Sequence, residues 1–67
     1  MINLTLNGVK TRIKSDTSLF ELVKTKQINP DVIVIEHNLN IIPKAEWAET
    51  ILKENDRVEI ICFVGGG

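Results

Sequence analysis

The sequence has one cysteine, Cys62, and one histidine, His37. A single thiol cannot close an intramolecular disulfide. One cysteine and one histidine cannot assemble an ordinary zinc site. Aromatic residues are scarce as well: Phe20, Trp47 and Phe63 are the whole set, too few for a base-stacking platform. Positive charge is not clustered. Eight Lys and Arg are spread among nine Asp and Glu, giving a net charge of −1, which argues against nucleic-acid binding. No apolar run approaches the ~18 residues of a membrane span. The first residues, MINLTLNG, lack the basic start and apolar core of a signal peptide. The expected location is therefore the cytoplasm, where a lone thiol stays reduced.

What is present is ordinary for a small globular domain: 67 residues, 43% hydrophobic and 25% charged. Residues 2–6, INLTL, alternate apolar and polar with the period of a half-buried strand. Asn7-Gly8 follows, a strong type I′ hairpin signal. VKTRIK, residues 9–14, reads as an edge strand with Val9, Thr11 and Ile13 on one face and Lys10, Arg12 and Lys14 on the other. SLFE at 18–21 fits a capping box and predicts a helix over 18–26, with Leu19, Leu22 and Val23 on its inner face. Phe20 falls beside that stripe as a half-covered flank residue. VIVI at 32–35 is apolar on both faces and predicts an interior strand. A turn at 37–40 and a short paired piece at 41–42 come next. Pro43 opens a helical turn to about residue 48, where Trp47 and Ile51 are expected to cover one end of the core. Asn55 is a candidate for positive φ in the turn 53–56. Residues 57–64 form the last predicted strand.

This order, a hairpin, a helix, then further strands with one helical turn, predicts an α+β architecture. With these lengths it is the β-grasp, or ubiquitin-like, arrangement: a mixed sheet covered by one helix. First and last strands are then central neighbours and parallel, so the last strand projects the tail out of the domain. The domain is expected over 1–64 and a flexible glycine tail over 65–67. A terminal glycine suits a carboxylate that must thread a narrow channel, because any Cβ would block it.

The chain resembles the ThiS family of sulfur carriers. The likeness is carried by NLNIIPKAEW at 38–47, by LKENDRVEI at 52–60, by FVGGG at the end and by SLFELV at 18–23. It implies that the Gly67 carboxylate is adenylated by a ThiF-like E1-type enzyme, which uses the ATP; the chain itself is expected to bind no cofactor. Sulfur from a cysteine desulfurase or related donor would make a thiocarboxylate, and a ThiG-like thiazole synthase would accept that sulfur. Gly65 and Gly66 would be read as tail. One departure is Asn55, where the family often has glycine. A MoaD-like subunit of molybdopterin synthase uses the same tail chemistry and is the alternative within this fold. A ubiquitin-like binding module with no sulfur chemistry is the alternative outside it.

The remaining chemistry-bearing residues carry little. Cys62 reads as a small apolar filler or an exposed thiol without function. His37 has no serine or cysteine partner at a recognisable spacing and reads as an idle turn residue. Glu46, Glu49, Glu54, Asp56 and Glu59 are scattered, as on a solvated face. Gly65–Gly67 have no helix after them and cannot form a P-loop. The chain alone is thus expected not to be an enzyme. In the last strand, Ile61 and Phe63 alternate with Val58, Ile60 and Cys62. If the Val58 face packs on the helix, Ile61 and Phe63 are exposed beside the tail as a candidate partner-docking patch; the opposite parity exchanges the roles.

Overall fold

The structure is a computed structural model, and it describes residues 1–63. The alternating N-terminal residues form β1 (Ile2–Leu6), which pairs antiparallel with β2 (Val9–Ile13) from Ile2↔Ile13 to Leu6↔Val9. The hairpin is tight because both central residues take positive φ, 49° at Asn7 and 80° at Gly8. Ser18 then caps α1 (Leu19–Thr25). Its hydroxyl oxygen accepts from the Glu21 N–H at 3.1 Å, and Glu21 Oε1 accepts from the Ser18 N–H at 3.1 Å. Two otherwise orphaned donors of the first turn are thereby paired. The inner stripe is as expected: Leu19, Leu22 and Val23 are buried. Phe20 is 40% exposed, with the Lys24 ammonium 5.8 Å from its ring centroid.

Between α1 and the next strand the chain makes a 3-10 turn, Pro30–Val32, capped by Asn29, whose side chain accepts from the Asp31 N–H. Val32 is spent in that turn, so β3 runs Ile33–His37, starting one residue later than the apolar run implies and ending two residues later. His37 is accordingly a strand residue and not part of the turn. A two-residue β4 (Asn40–Ile41) returns along β3. Lys44–Glu49 is again 3-10 in geometry, with Pro43 before it. Trp47 is buried, and its Nε1–H donates to the Ile42 carbonyl at 2.9 Å. The expected partnership of Trp47 with Ile51 fails. The chain is extended again at Thr50, so α-helical i,i+4 spacing no longer applies, and Ile51 is 36% exposed while Leu52 enters the core.

β5 (Arg57–Cys62) completes the sheet, in the order β2-β1-β5-β3-β4. It runs parallel to β1 through Thr5↔Arg57 and Leu6↔Val58, and antiparallel to β3 from Ile33↔Cys62 to His37↔Val58. The helix and the Trp47 turn cover one face. Leu19, Val23, Ile35, Trp47, Leu52 and Val58 are its most deeply buried side chains, each contributing on the order of 2 kcal/mol by removal from water. Asn55 takes φ 68°, as its place in the turn requires. The fold is the β-grasp. Among the described residues no helix is long and apolar enough to cross a membrane. The expected boundary at residue 64 and the glycine tail 65–67 lie outside the described residues.

Candidate functional site

Strand pairing decides which side chains share the uncovered face of the sheet, since residues directly opposite one another point the same way. Val58 is fully buried and Ile60 packs against the core, so Ile61 and Phe63 lie on the other face, 50% and 58% exposed. Val34 sits directly opposite Ile61. Ile41 sits opposite Glu36, is 65% exposed, and adds a further apolar side chain to this face. The parity left open by the sequence is thus settled: the Val58 side faces the helix. Beyond β5 the Phe63 N–H donates to the Val32 carbonyl at 3.0 Å, so pairing with the β3 side persists to the last described residue. β3 pairs with β5 along most of its length, whereas β1 pairs with it at Arg57 and Val58, so the C-terminal end of β5 is held from the β3 side. The candidate residues Gly65, Gly66 and Gly67 fall outside the described residues.

Cys62 is exposed on the helix side of β5, next to a hollow lined by Leu6, Ile28, Ile33 and Ile60 together with Lys26. It is not on the same face as Ile61 and Phe63.

Two readings of single residues are corrected. Asp56 is not on a solvated face: it is 8% exposed, and its carboxylate collects donors. Oδ2 accepts from the Lys53 N–H at 2.8 Å and lies 2.7 Å from His37 Nε2, while Oδ1 accepts from Asn38 Nδ2 at 3.1 Å. Burial pushes its pKa up, but the hydrogen bonds from His37, Asn38 and the Lys53 amide outweigh burial and hold it below the ordinary value. His37 is therefore not idle. It clamps the end of β3 to the loop that feeds β5. Asn38 doubles the clamp: its N–H donates to the Arg57 carbonyl at 2.8 Å and its Oδ1 accepts from the Arg57 N–H at 2.9 Å. His37 and Asn38 lie 19 and 18 residues from Asp56 in sequence, and no local motif announces the cluster. Glu54 also has a partner, since its Oε1 accepts from the Asn3 N–H at 2.9 Å.

The fold and face together define a class: a β-grasp domain with an uncovered apolar patch at the C-terminal end of β5. Residues 3–67 match the ThiS family. The sulfur carrier protein ThiS of Bacillus subtilis is 37% identical over 65 residues, covering 96% of this chain and 98% of that one. The crystal structure of the thiamine biosynthesis protein ThiS from Geobacter metallireducens superposes with a TM-score of 0.86 at 26% identity, covering 98% of this chain and all of that one. A thiazole synthase of Paramagnetospirillum magneticum is 27% identical over 66 residues; the match takes in 98% of this chain but only 20% of that larger protein. The chain belongs to the ThiS family.

Proposed function

We propose that the chain carries sulfur as a thiocarboxylate on Gly67 and delivers it to a thiazole synthase during assembly of the thiazole of thiamine. It is a carrier and not itself a catalyst. The observation that carries the reading is family membership over nearly the whole chain, with a relative of nearly equal length named as a sulfur carrier. The thiazole synthases that contain a segment like this chain support the acceptor.

The chemistry asks little of the domain. An activating enzyme of the ThiF type directs a Gly67 carboxylate oxygen onto the α-phosphorus of ATP, and pyrophosphate leaves. The resulting acyl adenylate is attacked at its carbonyl carbon by hydrosulfide, or by a desulfurase persulfide whose acyl disulfide product a thiol reductant then cleaves with two electrons. AMP departs with the oxygen, and the thiocarboxylate remains. The domain contributes a handle: a sheet that holds the C-terminal end of β5 from the β3 side, an apolar patch at Ile61 and Phe63 for docking, and Gly65 and Gly66 slim enough for a channel that excludes Cβ atoms.

The test is intact mass after incubation of the full chain with its cognate activating enzyme, ATP and a sulfide source. Exchange of one oxygen for sulfur at the C-terminus is expected. Absence of both that mass change and ATP–pyrophosphate exchange would leave the chain a binding module without sulfur chemistry.

A further inference from the structure

The turn between β3 and β4 holds an unusual residue. Leu39 has φ 74° and is 76% exposed. Left-handed backbone crowds a leucine Cβ against its own carbonyl, and water is a poor surrounding for the rest of the side chain. Glycine or asparagine would satisfy both demands. Backbone strain of this kind, kept at an exposed apolar side chain, points to something that the side chain does outside the fold.

The surroundings of Leu39 point the same way. It rims a shallow hollow of about 420 Å³ on the outer face, with Glu36, Arg57, Glu59, Asn7 and Gly8 as the other walls. Glu36 and Glu59 are directly opposite each other on β3 and β5. Like charges so placed weaken a sheet. Neither carboxylate forms an ion pair: the ion pairs among the described residues are His37–Asp56 and Lys44–Asp31, and Arg57 engages neither glutamate. Apolar side chains flank the acidic pair, with Ile41 beside Glu36 and the Val34–Ile61 pair one row closer to the tail. The outer face thus reads, from the tail end to the far end, apolar, acidic, then apolar again at Leu39. The turn stands beside the start of β5, so the strip runs about 20 Å from Phe63, at ~3.3 Å per strand residue.

We propose that this whole strip is the footprint of the sulfur acceptor, the thiazole synthase, rather than the tail-proximal patch alone. The proposal rests on the carrier reading above. The matching surface of the acceptor presents an apolar socket for Leu39 and a basic side chain to Glu36 and Glu59. Charge complementarity argues for the cation, because the two carboxylates face each other across the strands and neither is in an ion pair among the described residues. The thiazole synthases that hold a segment like this chain argue for the acceptor as occupant, since there the domain and the enzyme share one polypeptide.

The test is binding of the full-length chain to purified cognate thiazole synthase at several salt concentrations, alongside urea unfolding of each variant. Leu39→Gly should weaken binding about tenfold, as loss of an interface anchor does. It should leave the fold as stable or more so, because glycine takes φ 74° without crowding. Glu36→Gln with Glu59→Gln should weaken binding roughly threefold or more and flatten its salt dependence, again without loss of stability. A purely structural role for these residues would instead lower stability and leave binding by the folded fraction intact. Phe63→Asp is the comparison. If it abolishes binding while the Leu39 and glutamate variants bind with parental affinity and salt dependence, the extended footprint is wrong and the tail-proximal docking patch stands. If the parental chain does not bind the thiazole synthase at all, the acceptor assignment falls and this inference with it.

Discussion

His37 Nε2 lies 2.7 Å from Asp56 Oδ2, and this contact joins the end of β3 to the loop that starts β5. Asp56 is buried and accepts from three separate donors, so its loss leaves three part-buried donors without that partner. Asp56→Ala should destabilise the domain by about 1–3 kcal/mol. The parent should also show an acid limb set by this residue. Its folded pKa is below the ordinary 3.8, so its contribution is complete above that value and is lost as pH falls through the lowered folded value. Urea midpoints measured from neutral pH downward should fall less steeply in Asp56→Ala than in the parent across that acid window.

Trp47 gives a second stability prediction. It is 2% exposed and its indole N–H is satisfied by the Ile42 carbonyl. Trp47→Phe keeps most of the apolar volume but strands that carbonyl, and should cost about 1–3 kcal/mol. Trp47→Ala also opens a cavity and should cost about 3–5 kcal/mol, enough to unfold much of a domain this small. Denaturant unfolding followed by circular dichroism separates the two.

The difference between those sites and the outer face predicts opposite behaviour there. Ile61→Asp and Phe63→Asp replace side chains that are half or more exposed, so each should change stability by less than about 1 kcal/mol. Both should nevertheless lower affinity for the activating enzyme, measured by titration calorimetry. Collapse of thermal melting with normal binding by the surviving folded chain would show these side chains to be structural.

How much of this was legible in the sequence depended on how local each signal is. The Asn7-Gly8 hairpin, the Ser18–Glu21 capping box and the alternation of β1 are each set by neighbours within a few residues, and each stands where the pattern puts it. Departures came where one local geometry replaced another. The segment at Lys44–Glu49 is 3-10, so Leu52 and not Ile51 reaches the core. Pro30 draws Val32 into a turn and delays β3. The Asp56 cluster and the facing Glu36 and Glu59 were invisible because each needs the β3–β5 register, which no single stretch of sequence contains. For the carrier site, the exposure of Ile61 and Phe63 followed from one binary choice of strand face, and burial of Val58 made that choice.

The last prediction concerns the glycine end, where function should be separable from fold. Removing Gly67 shortens the tail by about 3.5 Å. An error of about 1 Å at a reacting atom can cost on the order of a hundredfold in rate, so the truncated chain should not be adenylated at a measurable rate. Gly66→Val keeps the length but adds a β-branched side chain, and it should fail by collision with a channel shaped for bare backbone. Among the described residues the buried core lies between Leu4 and Val58, and neither change is expected to shift the urea midpoint. ATP–pyrophosphate exchange with the activating enzyme reads the first step, and C-terminal mass reads sulfur loading. Cys62→Ser is the matched control. Its side chain lies on the helix side of β5, away from the Ile61–Phe63 face, and the carrier chemistry assigns it no bond to make or break. It should load at the parental rate. Parental loading by both tail variants would remove the Gly67 carboxylate as the site, whereas loss of loading in Cys62→Ser with the fold intact would give the thiol a chemical part.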